Sequence, residues 1–243
     1  MRIVLVNANT TEAVTEAIRQ QAAAVAGPGT EILAVTPSFG AESVESNFEN
    51  HLAAVAIMDR VAAIRDPFDA VVLAGFGEHG KEGLAELLDV PVVDATEAAA
   101  HVACLLGRRY AVVTSLRRTL GRIRDRLALA GLAGNCVSVR ATGLPVLQLE
   151  ADPERAAQRL AEEAVLAVDE DGADVICLGC AGMAELASRV EAATSVPVVD
   201  GVTAAVGLAE TLVRLYLQPS KAAYPAPRPK AITGWPLPSV PGS

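Results

Sequence analysis

The residues best suited to chemistry lie in the stretch Asp174-Val-Ile-Cys-Leu-Gly-Cys-Ala-Gly-Met183. Val175 to Leu178 is a short apolar run bounded by Asp174 and Gly179, the pattern of a parallel strand covered on both faces. Cys180 follows at the strand's carboxyl end, where open α/β sheets place their ligands. Ala181 to Val190 then takes up helical spacing, so the backbone N–H groups after Cys180 are expected to open a helix N-terminus. That setting favours a thiolate, and the N–H groups of Ala181 and Gly182 give donors for an oxyanion. Cys177 lies within the apolar run and reads as buried and inert, so the Cys177-x-x-Cys180 spacing is not taken as a redox pair.

Composition sets the class of scaffold that must hold this turn. The 243 residues are 51% hydrophobic and 20% charged, enough for a well-covered core in one large or two small domains. Only 3% are aromatic, so the core is built from Ala, Val, Leu and Ile, as suits buried parallel strands and closely packed helices. A net charge of -9 argues against a nucleic-acid surface. No apolar run approaches the ~20 residues of a membrane span. Met1 to Val6 reads straight into a strand with no charged-then-apolar leader, which leads to the expectation of a cytoplasmic protein. The four cysteines, Cys104, Cys136, Cys177 and Cys180, form neither a disulfide framework nor a zinc pattern. Three scattered histidines offer no metal ligand set, and His51 and His101 read as ordinary helix residues. The glycine turns complete neither a dinucleotide nor a Walker pattern, so no nucleotide binding is expected.

Strand and helix alternate along the chain. Arg2 to Val6 is a strand ending at Asn7-Ala-Asn-Thr10, with Thr10 or Thr11 capping a helix that begins near Glu12. Glu31 to Thr36 is a second strand, broken by Pro37-Ser-Phe-Gly40. A helix through His51 to Ile64 follows, then a third strand over Asp69 to Ala74 and the turn Gly75-Phe-Gly-Glu-His-Gly80. Strands separated by helices of this length imply crossovers and a parallel sheet. Ala151 to Glu170 reads as an amphipathic helix and Thr203 to Leu217 as a long helix returning to the first domain. From Gln218 to Ser243 proline and lysine accumulate, and no compact element is expected.

The second half repeats the first. Asp69-Ala-Val-Val-Leu-Ala-Gly-Phe-Gly77 lies over Asp174-Val-Ile-Cys-Leu-Gly-Cys-Ala-Gly182, and Pro91-Val-Val-Asp94 lies over Pro197-Val-Val-Asp200. The expectation is an α/β fold of two similar doubly wound parallel-sheet domains related by pseudo-twofold symmetry, residues 1–97 plus 203–225 and residues 98–202, with a proline-rich tail at 226–243. Their strand-end turns then converge on one cleft, with Cys180 on one wall and Gly75 on the other. Asn7, Asn9, Thr114 and Ser115 lie at strand ends on the same side and can hold a substrate's carbonyl or ring nitrogens, with helix capping the alternative for Thr114 and Ser115. Phe39 and Phe76 stand beside glycine turns and either wall the cleft or pack into the core.

Asn7-Ala-Asn-Thr10, Pro37-Ser-Phe-Gly40, Phe76-Gly77 with Gly80, Val112-Val-Thr-Ser115, Leu178-Gly-Cys-Ala-Gly-Met183 and Pro197-Val-Val-Asp-Gly-Val202 together resemble the hydantoin racemase branch of the aspartate/glutamate racemase superfamily. The resemblance runs from Arg2 to about Pro225. It implies a cofactor-independent, homo-oligomeric enzyme acting on a small molecule, in which two facing cysteines move a proton at a carbon next to a carbonyl. Inverting a stereocentre in this way needs an acid and a base on opposite faces. The resemblance places the first of those cysteines at position 75, where this chain has Gly75, followed by Glu78-His79 in place of the usual Asp-Pro.

Three readings follow from that departure. Glu78 or His79 supplies the missing face, and the protein is a racemase or epimerase of a hydantoin, ureide or amino-acid-derived substrate. Alternatively, Cys180 acts alone, as in the arylmalonate decarboxylase branch. In the third reading the pocket binds without turnover, as a silent protein or an inactivated racemase. On this two-walled picture, Gly75→Cys is expected to create or raise racemisation.

Overall fold

The computed structural model describes residues 1–77 and 79–232, apart from the side chains of Glu150, Ala184 and Glu185. The acid/base role considered for Glu78 and the end of the proline-rich tail, 233–243, lie outside the described residues.

The first half runs β1 (Arg2–Val6), α1 (Glu12–Val25), β2 (Glu31–Val35), α2 (Asn47–Ala62), β3 (Ala70–Leu73), α3 (Lys81–Leu87), β4 (Val92–Asp94) and α4 (Ala95–Leu106). The second runs β5 (Tyr110–Thr114), α5 (Leu120–Leu129), β6 (Cys136–Ala141), α6 (Val146–Ala151), α7 (Pro153–Asp169), β7 (Val175–Leu178), α8 (Ala187–Thr194), β8 (Val198–Asp200) and α9 (Gly201–Arg214). Two four-stranded sheets result, ordered β2-β1-β3-β4 and β6-β5-β7-β8. All their pairings are parallel. The fold is thus the expected α/β pair of parallel sheets, with the same strand order in each.

The strand sequences explain the sheets. β3 and β7 are buried along their whole length, and so are Ile3 to Val6 and Tyr110 to Thr114. Runs without polar alternation satisfy their backbones only inside a sheet covered on both faces. The central strands set the positions of the turns: Val6 pairs with Leu73 and Val113 with Leu178. The chain then makes one more bond in each half, Ala74 N to the Val6 carbonyl at 2.9 Å and Gly179 N to the Val113 carbonyl at 2.8 Å.

The two halves are locked by an exchange of helices. α4 follows β4 of the first sheet, but its Ala99, Ala100 and Ala103 pack with Val175 and Cys177 of the second. α9 follows β8 of the second sheet, and its Val202, Ala205, Val206 and Ala209 pack with Ile3, Leu5 and Val72 of the first. A side chain such as Val206, fully buried here, contributes about 1.5–3 kcal/mol. The two helices start so close together that a Cβ on Gly201 would lie 2.8 Å from the Ala95 carbonyl oxygen.

Several expected boundaries are corrected. The second strand ends at Val35, and the Thr36 hydroxyl instead meets that of Thr15 at 2.7 Å. α2 starts before His51 because Ser46 and Glu49 form a capping box. The helix expected from Ala151 begins at Pro153 behind an Asp152 cap, and the one expected from Thr203 begins at Gly201 and ends at Arg214. Among the described residues after Gln218, Lys221 anchors the chain. Lys221 Nζ donates to the carbonyls of Ala85, Glu86 and Leu88 at 3.0, 3.3 and 2.7 Å, satisfying orphaned acceptors at the end of α3. Among the described residues no helix is long and apolar enough to cross a membrane.

Candidate active site

The carboxyl ends of β1, β3, β5 and β7 surround a cavity of about 60 Å³. Space of that size takes roughly four to six water-sized spheres, the scale of a small ring compound. Cys180 reaches it from one sheet, and Gly75 and His79 reach it from the other.

Cys180 owes its position to Gly179. A Cβ at 179 would lie 2.8 Å from Thr114 Cβ and 2.9 Å from Val112 Cγ1, so only glycine lets the turn close over β5. The Thr114 hydroxyl donates to the Gly179 carbonyl at 2.9 Å and holds that turn. The Thr114 hydroxyl proton is therefore spent on this turn and not on a helix cap, while the residue lines the cavity. The helix expected directly after Cys180 is not an α-helix. Residues Ala181–Leu186 form a 3-10 segment whose first turn runs from Met183 N to the Cys180 carbonyl at 3.0 Å, and α8 begins only at Ala187. A short tight segment offers less dipole than a full helix. The N–H groups of Ala181 and Gly182 precede that first bond, and both residues line the cavity. Cys180 is half-buried. Cys177 is fully buried, meets the Ala99 carbonyl at 3.6 Å, and has its thiol pushed far up by burial, which leaves it inert.

The opposite turn is built differently. Gly77, at φ 130°, is held by Thr96, whose hydroxyl accepts from Gly77 N at 2.7 Å. The chain then folds His79 back until its ring lies over Gly75. A Cβ at 75 would stand 2.7 Å from His79 Cε1, 2.9 Å from His79 Nδ1 and 2.8 Å from Ala8 Cβ. His79 is 1% exposed, and its Nδ1 has no hydrogen-bond partner among the described residues. Burial, with the Arg122 guanidinium second, pushes this imidazole down to about 3, so the ring is neutral at pH 7.

The remaining expected residues divide. The Asn7 amide donates to Asn9 Oδ1, the Thr11 carbonyl and Thr15 Oγ1, while its own oxygen accepts from Asn9 N. Asn7 thus shapes the loop and has no donor left for a ligand. Asn9 Oδ1 also accepts from Thr11 N at 2.9 Å. Thr11 stands at the N-cap of α1 as expected, but its hydroxyl donates to the Glu42 carbonyl at 2.8 Å and makes no capping bond. The Asn9 amide nitrogen is left for the cavity. Ser115 is buried and lines the cavity, with its hydroxyl making no hydrogen bond to the described residues. Phe76 both lines the cavity and packs with Tyr110 and Ile123, whereas Phe39 does not line it.

Two arginines of α5, spaced one helical turn apart, escaped the sequence reading. Arg122 lines the cavity and donates to the Ser46 carbonyl at 3.2 Å. Arg126 is 1% exposed and pairs across the halves with Glu82 at 2.7 Å and with Glu97. The run Arg122-Ile-Arg-Asp-Arg126 carried the signal, since positions four apart share one helix face. The segment 41–46 is tied to both halves: Thr10 N donates to the Ala41 carbonyl at 3.0 Å and Val146 N to Glu45 Oε1 at 3.0 Å. Val44 and Val146 close the cavity from these two sides. Among the described residues no group of three or more His, Cys, Asp or Glu side chains is arranged to hold a metal ion.

Comparison with known proteins agrees with this geometry. The family described as Asp/Glu/Hydantoin racemase matches residues 3–209. An allantoin racemase from Pseudomonas fluorescens is 61% identical, with a TM-score of 0.95 and coverage of 96% of this chain and all (100%) of that one. An allantoin racemase from Klebsiella pneumoniae is 42% identical, with a TM-score of 0.92 and 96% of both chains covered. A hydantoin racemase from a Pseudomonas strain is 37% identical over 236 residues, covering 96% of this chain and 95% of its own. An arylmalonate decarboxylase, at 20% identity and a TM-score of 0.59, shares the fold alone and lends the decarboxylase alternative no support. The chain belongs to the Asp/Glu/hydantoin racemase family.

Proposed function

We propose that this protein is a cofactor-independent racemase that inverts the carbon next to a carbonyl in a small cyclic ureide, with allantoin the first candidate. The observation that carries the reading is the placement of Cys180 at the mouth of a turn that only Gly179 permits, lining a cavity between the two sheets. Its thiol exchanges a proton with the substrate carbon from one face. The N–H groups of Ala181 and Gly182 stabilise the enolate, and the free groups of Asn9 and Ser115 bind the ring's carbonyl and N–H edges. The small cavity favours a single five-membered ring with a short substituent. The names of the relatives at 61% and 42% identity favour allantoin, a hydantoin ring bearing a ureido group.

The test uses each allantoin enantiomer, and separately a 5-substituted hydantoin, in deuterated buffer. Optical rotation reports inversion and proton NMR reports loss of the α-proton. Inversion with label uptake is the expected result, and Cys180→Ser should lower it by about 10²–10⁴-fold. Tight binding of these compounds with neither inversion nor exchange would instead identify a binding protein.

A further inference from the structure

Proton transfer from Cys180 alone cannot invert a stereocentre, because the carbon must be reprotonated from the face opposite the one deprotonated. A group on the other wall is therefore required, and Gly75 has no side chain to offer. The room that a side chain at 75 would enter is not empty. It is taken by the His79 ring, whose Cε1 and Nδ1 lie 2.7 and 2.9 Å from the place a Cβ would occupy.

We infer, on the racemase reading above, that the His79 imidazole is the second proton-transfer residue, acting on the substrate carbon from the face opposite Cys180. Three observations carry this. His79 and Cys180 line the same cavity of about 60 Å³, one from the turn after β3 and the other from the turn after β7. The ring is 1% exposed and its Nδ1 is buried with no hydrogen-bond partner among the described residues, a cost that an apolar ring filling the same space would not carry. Gly75 and His79 are also sterically linked, since the ring occupies its place only while position 75 lacks a Cβ.

The step balances without any cofactor. With one enantiomer, the α-C–H bond breaks, its proton forms an N–H bond with the imidazole, and the electron pair passes into the carbonyl as an enolate. The Cys180 S–H bond then breaks as a new C–H bond forms on the other face. This leaves an imidazolium and a thiolate, which act in reverse on the other enantiomer or return to the neutral pair by exchange with water. Burial and the Arg122 and Arg126 charges keep the resting ring neutral, free of a proton but reluctant to take one. The enolate formed beside it offsets the charge it acquires.

The experiment compares wild type, His79→Gln, His79→Asn and Cys180→Ser, each offered the separate allantoin enantiomers in deuterated buffer. Both His79 variants should lose inversion by 100-fold or more while still exchanging the α-proton of one enantiomer through Cys180. Cys180→Ser should exchange only the other enantiomer. Circular dichroism and the rate of Cys180 alkylation by iodoacetamide verify that the variants keep the folded site. Inversion within a few-fold of wild type in His79→Gln would overturn the inference, as would loss of exchange for both enantiomers in variants that remain folded, which would make the ring structural. A wild-type protein that neither inverts nor exchanges would overturn the racemase reading itself, and the role of His79 with it.

Discussion

The turns after β3 and β7 have nearly the same sequence frame and opposite contents. Ala74-Gly75 in one corresponds to Gly179-Cys180 in the other, so each of these pairs has one glycine, at different places. After β7 the glycine comes first, because a Cβ there would meet Thr114, and the next residue projects into the cavity. After β3 the glycine comes second, and the cavity wall is supplied from four residues further on, by His79. The difference teaches that a position in a duplicated fold is defined by the space it fills. Two turns can deliver a titratable group to one cavity from different points along the chain.

The comparison is broken most severely by Gly75→Cys. Sequence alone leads to the expectation of gained racemisation, but the new Cβ would fall under 3 Å from both the His79 ring and Ala8 Cβ. The variant should instead lose about 1–3 kcal/mol of stability in urea unfolding, as overpacking does. His79→Ala in the same chain should recover part of that loss, with a coupling of at least ~0.5 kcal/mol in the double-mutant cycle. Independent, additive effects would show that ring and glycine are not linked.

A smaller effect separates the turns by pH. The His79 pKa is pushed down to about 3 from an ordinary 6.5, so its neutral form is the folded form. The stability it contributes is present above pH 6.5 and is lost as pH falls toward 3, because the unfolded chain then binds the extra proton. Thermal unfolding between pH 6.5 and 5 should show a loss of up to about 1.4 kcal/mol per pH unit, and His79→Gln should flatten it. A matching slope in the variant would assign the effect elsewhere. The smallest effects concern the threonines that hold the turns. Thr96→Val and Thr114→Val should each cost about 1 kcal/mol, the net value of the lost hydrogen bond, in the same unfolding assay.

Much of this molecule was legible in the chain. The uninterrupted apolar runs Val175 to Leu178 and Ala70 to Leu73 announced buried parallel strands, the matched Pro-Val-Val-Asp blocks announced two similar halves, and Gly179-Cys180 announced the turn that lines the cavity. These features are local, since burial period, turn chemistry and spacing are written in consecutive residues. The rest depended on groups distant in sequence. Asn7 lines the cavity, as its strand-end place suggested, but its amide N–H groups are spent on Asn9, Thr11 and Thr15. Phe39 neighbours a glycine turn but does not reach the cavity, whereas Arg122 enters it from a helix of the other half. Asp94 and Asp200 could be matched as twins, but only packing shows that burial raises both carboxyls, that of Asp94 to about 7 against the nearby Arg126.

By itself, then, the sequence determined the strands, the duplication and the thiol at the end of β7, because each is a property of a few adjacent side chains and their period. The tertiary structure alone decided what stands opposite that thiol. Whether His79 points to solvent or folds over Gly75 depends on the space left by Ala8 and by the missing Cβ, and space between elements is set only when they pack.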